Sequence, residues 1–288
     1  MIGIDLGSNT LRACLMDENG EILWDFERIV GSARNMDENG LAADAKERIF
    51  QALKELQKSH ELQGAYFAAA TAAFRKAKNS QQFLQFIKNE LNIDFSVISG
   101  DDEAKFVRLG ISLRLKKLGI SDKNTVFIDL GGASTEISFN EFFKSFDFGI
   151  VSYVNTFKND YSAICEVCKD AKDFIRDFTP SAVILSSGVP TSVAGLKVGL
   201  NYANYNAKKV NGLRLNLSDF DEIFTLIENS KNKDELVGKN RSDILCAGIK
   251  LLKELLSPLN APFIVIDDGL REGLCAAVLS GALSPKEF

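Results

Sequence analysis

Two short stretches of the chain have the residue types needed to grip a phosphate chain. Ile4-Asp5-Leu6-Gly7-Ser8-Asn9-Thr10 and Ile128-Asp129-Leu130-Gly131-Gly132-Ala133-Ser134-Thr135-Glu136 follow one order. Each is an apolar strand, an acid, a turn of small residues carrying hydroxyls, and a second apolar run. Glycine lets backbone N–H groups close on an anion, Ser and Thr hydroxyls add donors, and Asp can hold a hydrated cation. The plainer reading is a pair of hairpins with ordinary tight turns. Two copies, each behind a strand, favour the chemical reading.

Histidine sets the next limit. His60 is the single histidine and sits in a polar helix end, Lys58-Ser59-His60-Glu61. A surface position with solvent around it is expected. This argues against hydrolase machinery of the Ser-His-Asp or Cys-His kind and excludes a histidine-rich metal site. Acid–base work falls to carboxylates. Of five cysteines, Cys165 and Cys168 form the one close pair. With no second pair for zinc and no redox context, they read as structural.

These residues need a scaffold, and 288 residues suffice for one large or two medium domains with a sizeable core. A net charge of −5 and a pI near 5.2 argue against nucleic acid or a basic membrane-facing surface as partner. An anionic ligand must therefore be held by local donors and metal. No segment reads as a membrane span or a signal peptide, so a cytoplasmic location with reduced cysteines is expected.

Hydrophobic spacing predicts strands at 1–5, 12–16 and 22–30, a helix at 41–59 and a buried strand at 65–70. A helix at 80–91, a strand near 95–99, a helix at 101–118 and strands at 125–129 and 134–140 follow. In the second half, 143–151 reads as strand, 161–178 as helix and 182–185 as strand, with a polar turn at 186–191 opening a helix. Helices at 217–230 and 241–256, then a strand at 263–267 and a further helix, complete the pattern. A hairpin-rich trio followed by alternation implies an α/β protein with mixed sheets flanked by helices. The expected division is 1–142, carrying the turns, and 143–288, with a ligand cleft between them.

Six stretches in order carry a resemblance: Asp5-Leu6-Gly7-Ser8-Asn9-Thr10, Ala70-Thr71-Ala72-Ala73-Phe74-Arg75-Lys76-Ala77-Lys78-Asn79, Ile98-Ser99-Gly100-Asp101-Asp102-Glu103-Ala104, Asp129 through Glu136, Arg241-Ser242-Asp243-Ile244 with Ala247-Gly248, and Asp268-Gly269-Leu270-Arg271-Glu272-Gly273. Over nearly its whole length the chain resembles the exopolyphosphatase/guanosine pentaphosphate phosphatase (Ppx/GppA) family of the actin-like superfamily. The resemblance implies two actin-like (ribonuclease H-like) domains with an interdomain cleft. It also implies two hydrolytic glutamates, which fall on Glu103 for water activation and Glu136 for positioning of metal or water.

Phosphates would meet the amides and hydroxyls of Gly7, Ser8, Asn9, Thr10, Gly131, Gly132, Ser134 and Thr135. Mg2+ would meet Asp129, Asp5 and Glu136. Arg12, Arg75 and Arg241 are candidate phosphate clamps, because guanidinium matches phosphate in a bidentate way; arginines are also ordinary surface residues.

Departures from the family pattern concentrate in the second half. Asp102 shortens the first acid of the Ser99–Glu103 motif, and Ala133 replaces a third glycine. Gly149-Ile150-Val151-Ser152 lacks the expected arginine, and Pro190 removes a backbone donor. Longer relatives carry an HD-type helical domain, whose histidines are missing here; a two-domain form is expected. The expected activity is Mg2+-dependent release of terminal phosphate from inorganic polyphosphate or guanosine pentaphosphate. The alternative is a non-hydrolysing sensor of polyphosphate or guanosine tetra- and pentaphosphate. A third, an ATP-using kinase or chaperone-like ATPase, is opposed by the Glu103 motif. A homodimer is expected by analogy with relatives.

Overall fold

The first glycine turn is the corner of a hairpin. In the computed structural model, which describes residues 1–158, 160–239 and 241–288, β1 (Ile2–Leu6) pairs antiparallel with β2 (Thr10–Met16), and β3 (Ile22–Ile29) extends the meander. α1 (Ala43–Ser59) buries Ala45, Ile49, Ala52, Leu53 and Leu56, a stripe at helical spacing. It provides the crossover that a parallel pairing requires, and β4 (Ala65–Ala70) runs parallel to β1. α2 (Ala72–Lys76), α3 (Ser80–Leu91), β5 (Phe95–Val97) and α4 (Gly100–Leu118) follow, with β5 parallel to β4.

The theme is then repeated. β6 (Thr125–Leu130), β7 (Thr135–Phe139) and β8 (Phe142–Phe146) form a second antiparallel meander around the second turn. α5 (Ile150–Phe157), α6 (Ile164–Val167) and α7 (Lys169–Ile175) lead to β9 (Ala182–Ser186), parallel to β6. α8 (Gly188–Lys197), α9 (Ala207–Val210), β10 (Arg214–Leu215), α10 (Leu217–Asn229), α11 (Lys233–Val237) and α12 (Ser242–Leu256) come next. β11 (Phe263–Val265) lies parallel to β9. α13 (Leu270–Leu279) and β12 (Lys286–Glu287) end the chain, β12 antiparallel to β4.

Each sheet has six strands and mixed directions, in the orders β12-β4-β1-β2-β3 with β5 on β4, and β10-β11-β9-β6-β7-β8. Ile4, Leu6, Leu11 and Leu53 belong to the core of one unit, and Ile128, Ile137, Ile184 and Leu251 to that of the other. Among the described residues no helix is long and apolar enough to cross a membrane.

The division at 142/143 differs from the one observed. One compact unit is Met1–Leu113 with Asp268–Phe288, the other Arg114–Asp267. β6 opens the second sheet because its ladder partner is β9, with Asp129 opposite Ser186. Glu136 and the second turn thus belong to the second unit, and α13 with β12 returns to the first. Two local expectations also change. Where 143–151 reads as a strand, β8 ends at Phe146 and α5 begins at Ile150. The helix expected over 161–178 is two short pieces, α6 and α7, that meet at Cys168.

Candidate active site

In the first turn the Gly7 N–H donates to the Thr10 carbonyl at 2.9 Å, closing β1 onto β2. The turn is braced from outside. The Val30 and Gly31 N–H groups donate to the Asn9 carbonyl, and the Ala33 N–H donates to the Ser8 carbonyl. Ser8 is buried, and its hydroxyl accepts from the Ala73 N–H at 3.2 Å, a contact that leaves the hydroxyl proton unused. Asn9 Oδ1 is buried with no hydrogen-bond partner among the described residues.

The second turn repeats this closure, with the Gly131 N–H donating to the Ser134 carbonyl at 3.0 Å. Its brace is a helix start. The first amides of α5 donate to the turn, Ile150 to the Gly131 carbonyl at 3.0 Å and Val151 and Ser152 to the Gly132 carbonyl at 2.7 and 3.0 Å. These are N-terminal donors that a helix cannot satisfy internally, so turn and helix each complete the other. Gly149 makes the approach possible. A methyl there would stand 2.6 Å from the Gly131 oxygen, the Gly132 carbonyl carbon and the Ala133 nitrogen. Thr135 is fully buried, and its hydroxyl donates to the Phe148 carbonyl at 2.8 Å; it holds the turn in place. Ser134 is buried beside it.

Asp129 and Glu136 are direct partners across β6 and β7, and cross-strand partners project to the same face of a sheet. Glu136 is only 3% exposed, and its Oε1 accepts from the Ser145 hydroxyl at 2.8 Å. Its other oxygen lies 3.9 Å from where a Gly131 side chain would begin, directly at the turn. Two carboxylate oxygens donors side by side suit magnesium, which takes one or two protein carboxylates and fills its remaining positions with water and phosphate. Among the described residues no group of three or more His, Cys, Asp and Glu is placed to hold a metal. Asp5, the third candidate ligand, belongs to the other unit, opposite Arg12 in the β1–β2 ladder.

Glu103 is the fourth residue of α4 and is 9% exposed. Arg75 Nη1 donates to its Oε2 at 2.7 Å and to the Ile98 carbonyl at 3.0 Å. A candidate clamp and the candidate base are therefore in contact. Asp102 does local work. The Ser99 hydroxyl bonds its carboxylate at 2.7 Å and holds it below the usual carboxylate range, with Lys105 assisting, and the Asp102 N–H donates back to Ser99 at 3.1 Å. Acids in the first turn also suit the helix dipole. Arg12 lies between Asp5 and Glu27 in the ladder, and its Nε is 3.0 Å from a Glu27 carboxylate oxygen.

Arg241 caps α12 in the second unit. Its Nη2 would lie 2.7 Å from a methyl on Gly188, so the guanidinium covers the first residue of α8. The preceding Ser187 has φ +85° and ψ 175°, a region that essentially only glycine occupies without strain. The Ser186 and Ser187 hydroxyls are buried with no partner among the described residues.

Sequence reasoning missed Ser145, which holds Glu136, and the Ile98 carbonyl, which holds Arg75. A period-two reading of β8 places Ser145 on one face with Phe143, a weak signal without knowledge of its partner. His60, expected in solvent, ends α1 and stacks on Trp24 with ring centres 4.2 Å apart.

Two mixed sheets flanked by helices, each opening with a meander bent around a glycine turn, define the actin-like (ribonuclease H-like) class. The chain belongs to the Ppx/GppA phosphatase family, whose model matches residues 28–281. A Ppx/GppA family member from Aquifex aeolicus has 25% identity, covers 98% of both chains and superposes with a TM-score of 0.76. An exopolyphosphatase from Cytophaga hutchinsonii shares the fold at 22% identity, with a TM-score of 0.83 over 96% of this chain and 97% of that one. A bifunctional 3-dehydroquinate synthase/phosphatase from Fusobacterium nucleatum subsp. nucleatum is 26% identical over 311 aligned positions, covering 96% of this chain and 46% of the relative. The chain thus spans about half the length of that curated relative.

Proposed function

We propose that this phosphatase is a phosphoanhydride hydrolase that releases terminal phosphate from inorganic polyphosphate or guanosine pentaphosphate. The observation that carries the reading is the Asp129–Glu136 carboxylate pair at the Gly131–Ser134 turn, with Glu136 buried and oriented by Ser145. Phosphoryl transfer asks little covalent chemistry of a protein; it needs an in-line water, a group to orient or deprotonate it, and positive charge on the oxygens. Magnesium held by Asp129 and Glu136 would supply that charge.

The chain's own residues supply the rest. In the first unit the Asn9 amide and the hydroxyls of Ser8 and Thr10, and in the second the Gly132 amide and the Ser134 hydroxyl, are the donors for phosphate oxygens, while the Gly7 and Gly131 amides close the turns and their glycines let the backbone approach an anion. Glu103 takes the proton from the attacking water, and Glu136 fixes the water or the cation. Arg75 holds Glu103 in orientation before substrate arrives and offers its guanidinium to a phosphate oxygen afterwards. Arg12 and Arg241 are further clamps. The DxG-hydroxyl closure found at both turns, at 2.9 and 3.0 Å, supports a shared anion-binding design.

Phosphate release from both substrates with magnesium, read by a malachite-green assay, tests the reading. Release by the wild type and its loss in a Glu103→Ala/Glu136→Ala double variant are expected. Equal release by wild type and double variant would end it. A non-hydrolysing sensor is the second reading, favoured by Pro190 at the third position of α8, where a backbone donor is missing. Tight binding of guanosine tetraphosphate without any turnover would select it.

A further inference from the structure

The guanidinium that covers the start of α8 is also beside an aromatic ring. Arg241 Cζ lies 6.0 Å from the centre of the Tyr202 ring, and Tyr202 is 50% exposed. A large aromatic side chain so exposed ordinarily moves freely, yet this one stands on a fixed base. The Tyr202 N–H donates to the Leu236 carbonyl at 3.1 Å. Asn201 and Asn204 lock the loop reciprocally: the Asn201 N–H donates to Asn204 Oδ1 at 2.6 Å, and the Asn204 N–H donates to Asn201 Oδ1 at 3.0 Å. The backbone of Gly238 lies against the ring, where an added methyl would be 3.1 to 3.3 Å from its carbons. All these residues belong to the second unit.

A rigid, half-exposed ring next to an arginine and a turn with two partnerless buried hydroxyls, Ser186 and Ser187, has a specific chemistry. The arginine and the hydroxyls suit phosphate oxygens, and the ring suits the flat face of a nucleobase. Inorganic polyphosphate has no flat face to offer. We propose that Tyr202 is a specificity-determining residue that stacks the base of a nucleoside polyphosphate whose phosphates engage Arg241, so that the site prefers the nucleotide over inorganic polyphosphate. This rests on the phosphoanhydride reading above, and it narrows the substrate class. Stacking on an aromatic side chain is sequence-tolerant and contributes a factor of about five to 150 per base.

Guanosine triphosphate and inorganic tripolyphosphate carry three phosphates each and differ in the nucleoside alone. Calorimetric affinities of the two with magnesium, measured on wild type, Tyr202→Phe, Tyr202→Leu and Tyr202→Ala, isolate the ring. The wild type is expected to bind the nucleotide at least about tenfold more tightly, a margin of ~1.4 kcal/mol. Tyr202→Phe keeps that ratio, whereas Tyr202→Leu and Tyr202→Ala bring it to within about twofold of unity. Thermal melts of the three variants identify any that fails to fold, and Tyr202→Leu keeps an apolar body on Gly238.

A wild-type ratio near one, an unchanged ratio in the Leu and Ala variants, or binding of neither ligand would overturn the proposal. Binding is read without turnover, so the two readings fail separately. The expected ratios with no phosphate release would remove the hydrolase and leave Tyr202 in its role. Phosphate release with a flat ratio would do the reverse.

Discussion

At the scale of single residues, the two candidate glutamates differ in their surroundings, and the proposed function gives them different work. Glu136 is held by a neutral hydroxyl beside a second carboxylate, and Glu103 by a guanidinium. Ser145 is therefore expected to matter beyond its size. A hydrogen bond to a charged group contributes about 1.5–3 kcal/mol, so Ser145→Ala should lower kcat/KM by roughly tenfold or more; steady-state kinetics equal to wild type would show that the hydroxyl is incidental. Glu103→Gln keeps shape and removes the proposed base. A fall of about 10²–10⁴-fold in kcat is expected, with a smaller change in KM, and a KM effect alone would move Glu103 from catalysis to binding.

The glycine turns were legible in the sequence because their determinants are contiguous. Ser145 was not, because its partner lies across a hairpin, and Thr135 read as a phosphate donor although its hydroxyl belongs to Phe148. Nor does sequence reveal that Arg75 and Glu103 meet, since a contact across 28 positions depends on the packing of α2 and α4.

At the scale of elements, α5 and the second turn form one device. The turn's carbonyls accept the helix's first amides, and Gly149 lets the two backbones touch. In Gly149→Ala the obstacle is backbone, which has no rotamer to yield. We expect at least about a tenfold loss of kcat/KM and a lower melting temperature, since overpacking costs about 1–3 kcal/mol. Kinetics and stability both at wild-type level would mean the turn can shift without consequence. The same device explains why 143–151 misleads as a strand: its apolar run supports either state, and the donors and acceptors that decide it come from residues 131 and 132. The long strands and the helices α1, α3, α10 and α12 carry their own periodicity and lie close to where the sequence places them.

At the scale of the whole molecule, chain order conceals spatial order. The second sheet begins with β6, and the segment from Asp268 returns to the first unit. A boundary near the middle of the chain follows from length and loop composition; the division into compact units follows instead from which strand β6 pairs with, and no local signal encodes that.

The returning segment is anchored by Glu272, buried at the start of α13. The Gly269 N–H donates to it at 2.9 Å and Arg271 Nε at 2.5 Å. Burial pushes its carboxyl up, but the Arg271 charge and these hydrogen bonds outweigh burial and hold it below the usual range. A lowered folded pKa gives stability that is complete above the unfolded value of about 4.3 and lost as pH falls through the folded value. Melting temperature should therefore stay level from neutral pH to about 5 and fall below about 4. Glu272→Gln should cost about 1.5–3 kcal/mol at neutral pH, because it takes the charge out of the hydrogen bonds from Gly269 and Arg271, and should show a smaller acid drop. An acid drop of wild-type size in that variant would assign the sensitivity to other carboxylates.

The central claim is that a carboxylate pair beside an amide-lined turn hydrolyses a phosphoanhydride with magnesium. Its most direct test is phosphate release under saturating polyphosphate or guanosine pentaphosphate, with and without magnesium, by wild type and by Glu136→Gln. Release that requires the metal and falls by about a hundredfold or more in the variant is the expected result. Release that persists without magnesium, or at wild-type rate in Glu136→Gln, would contradict it.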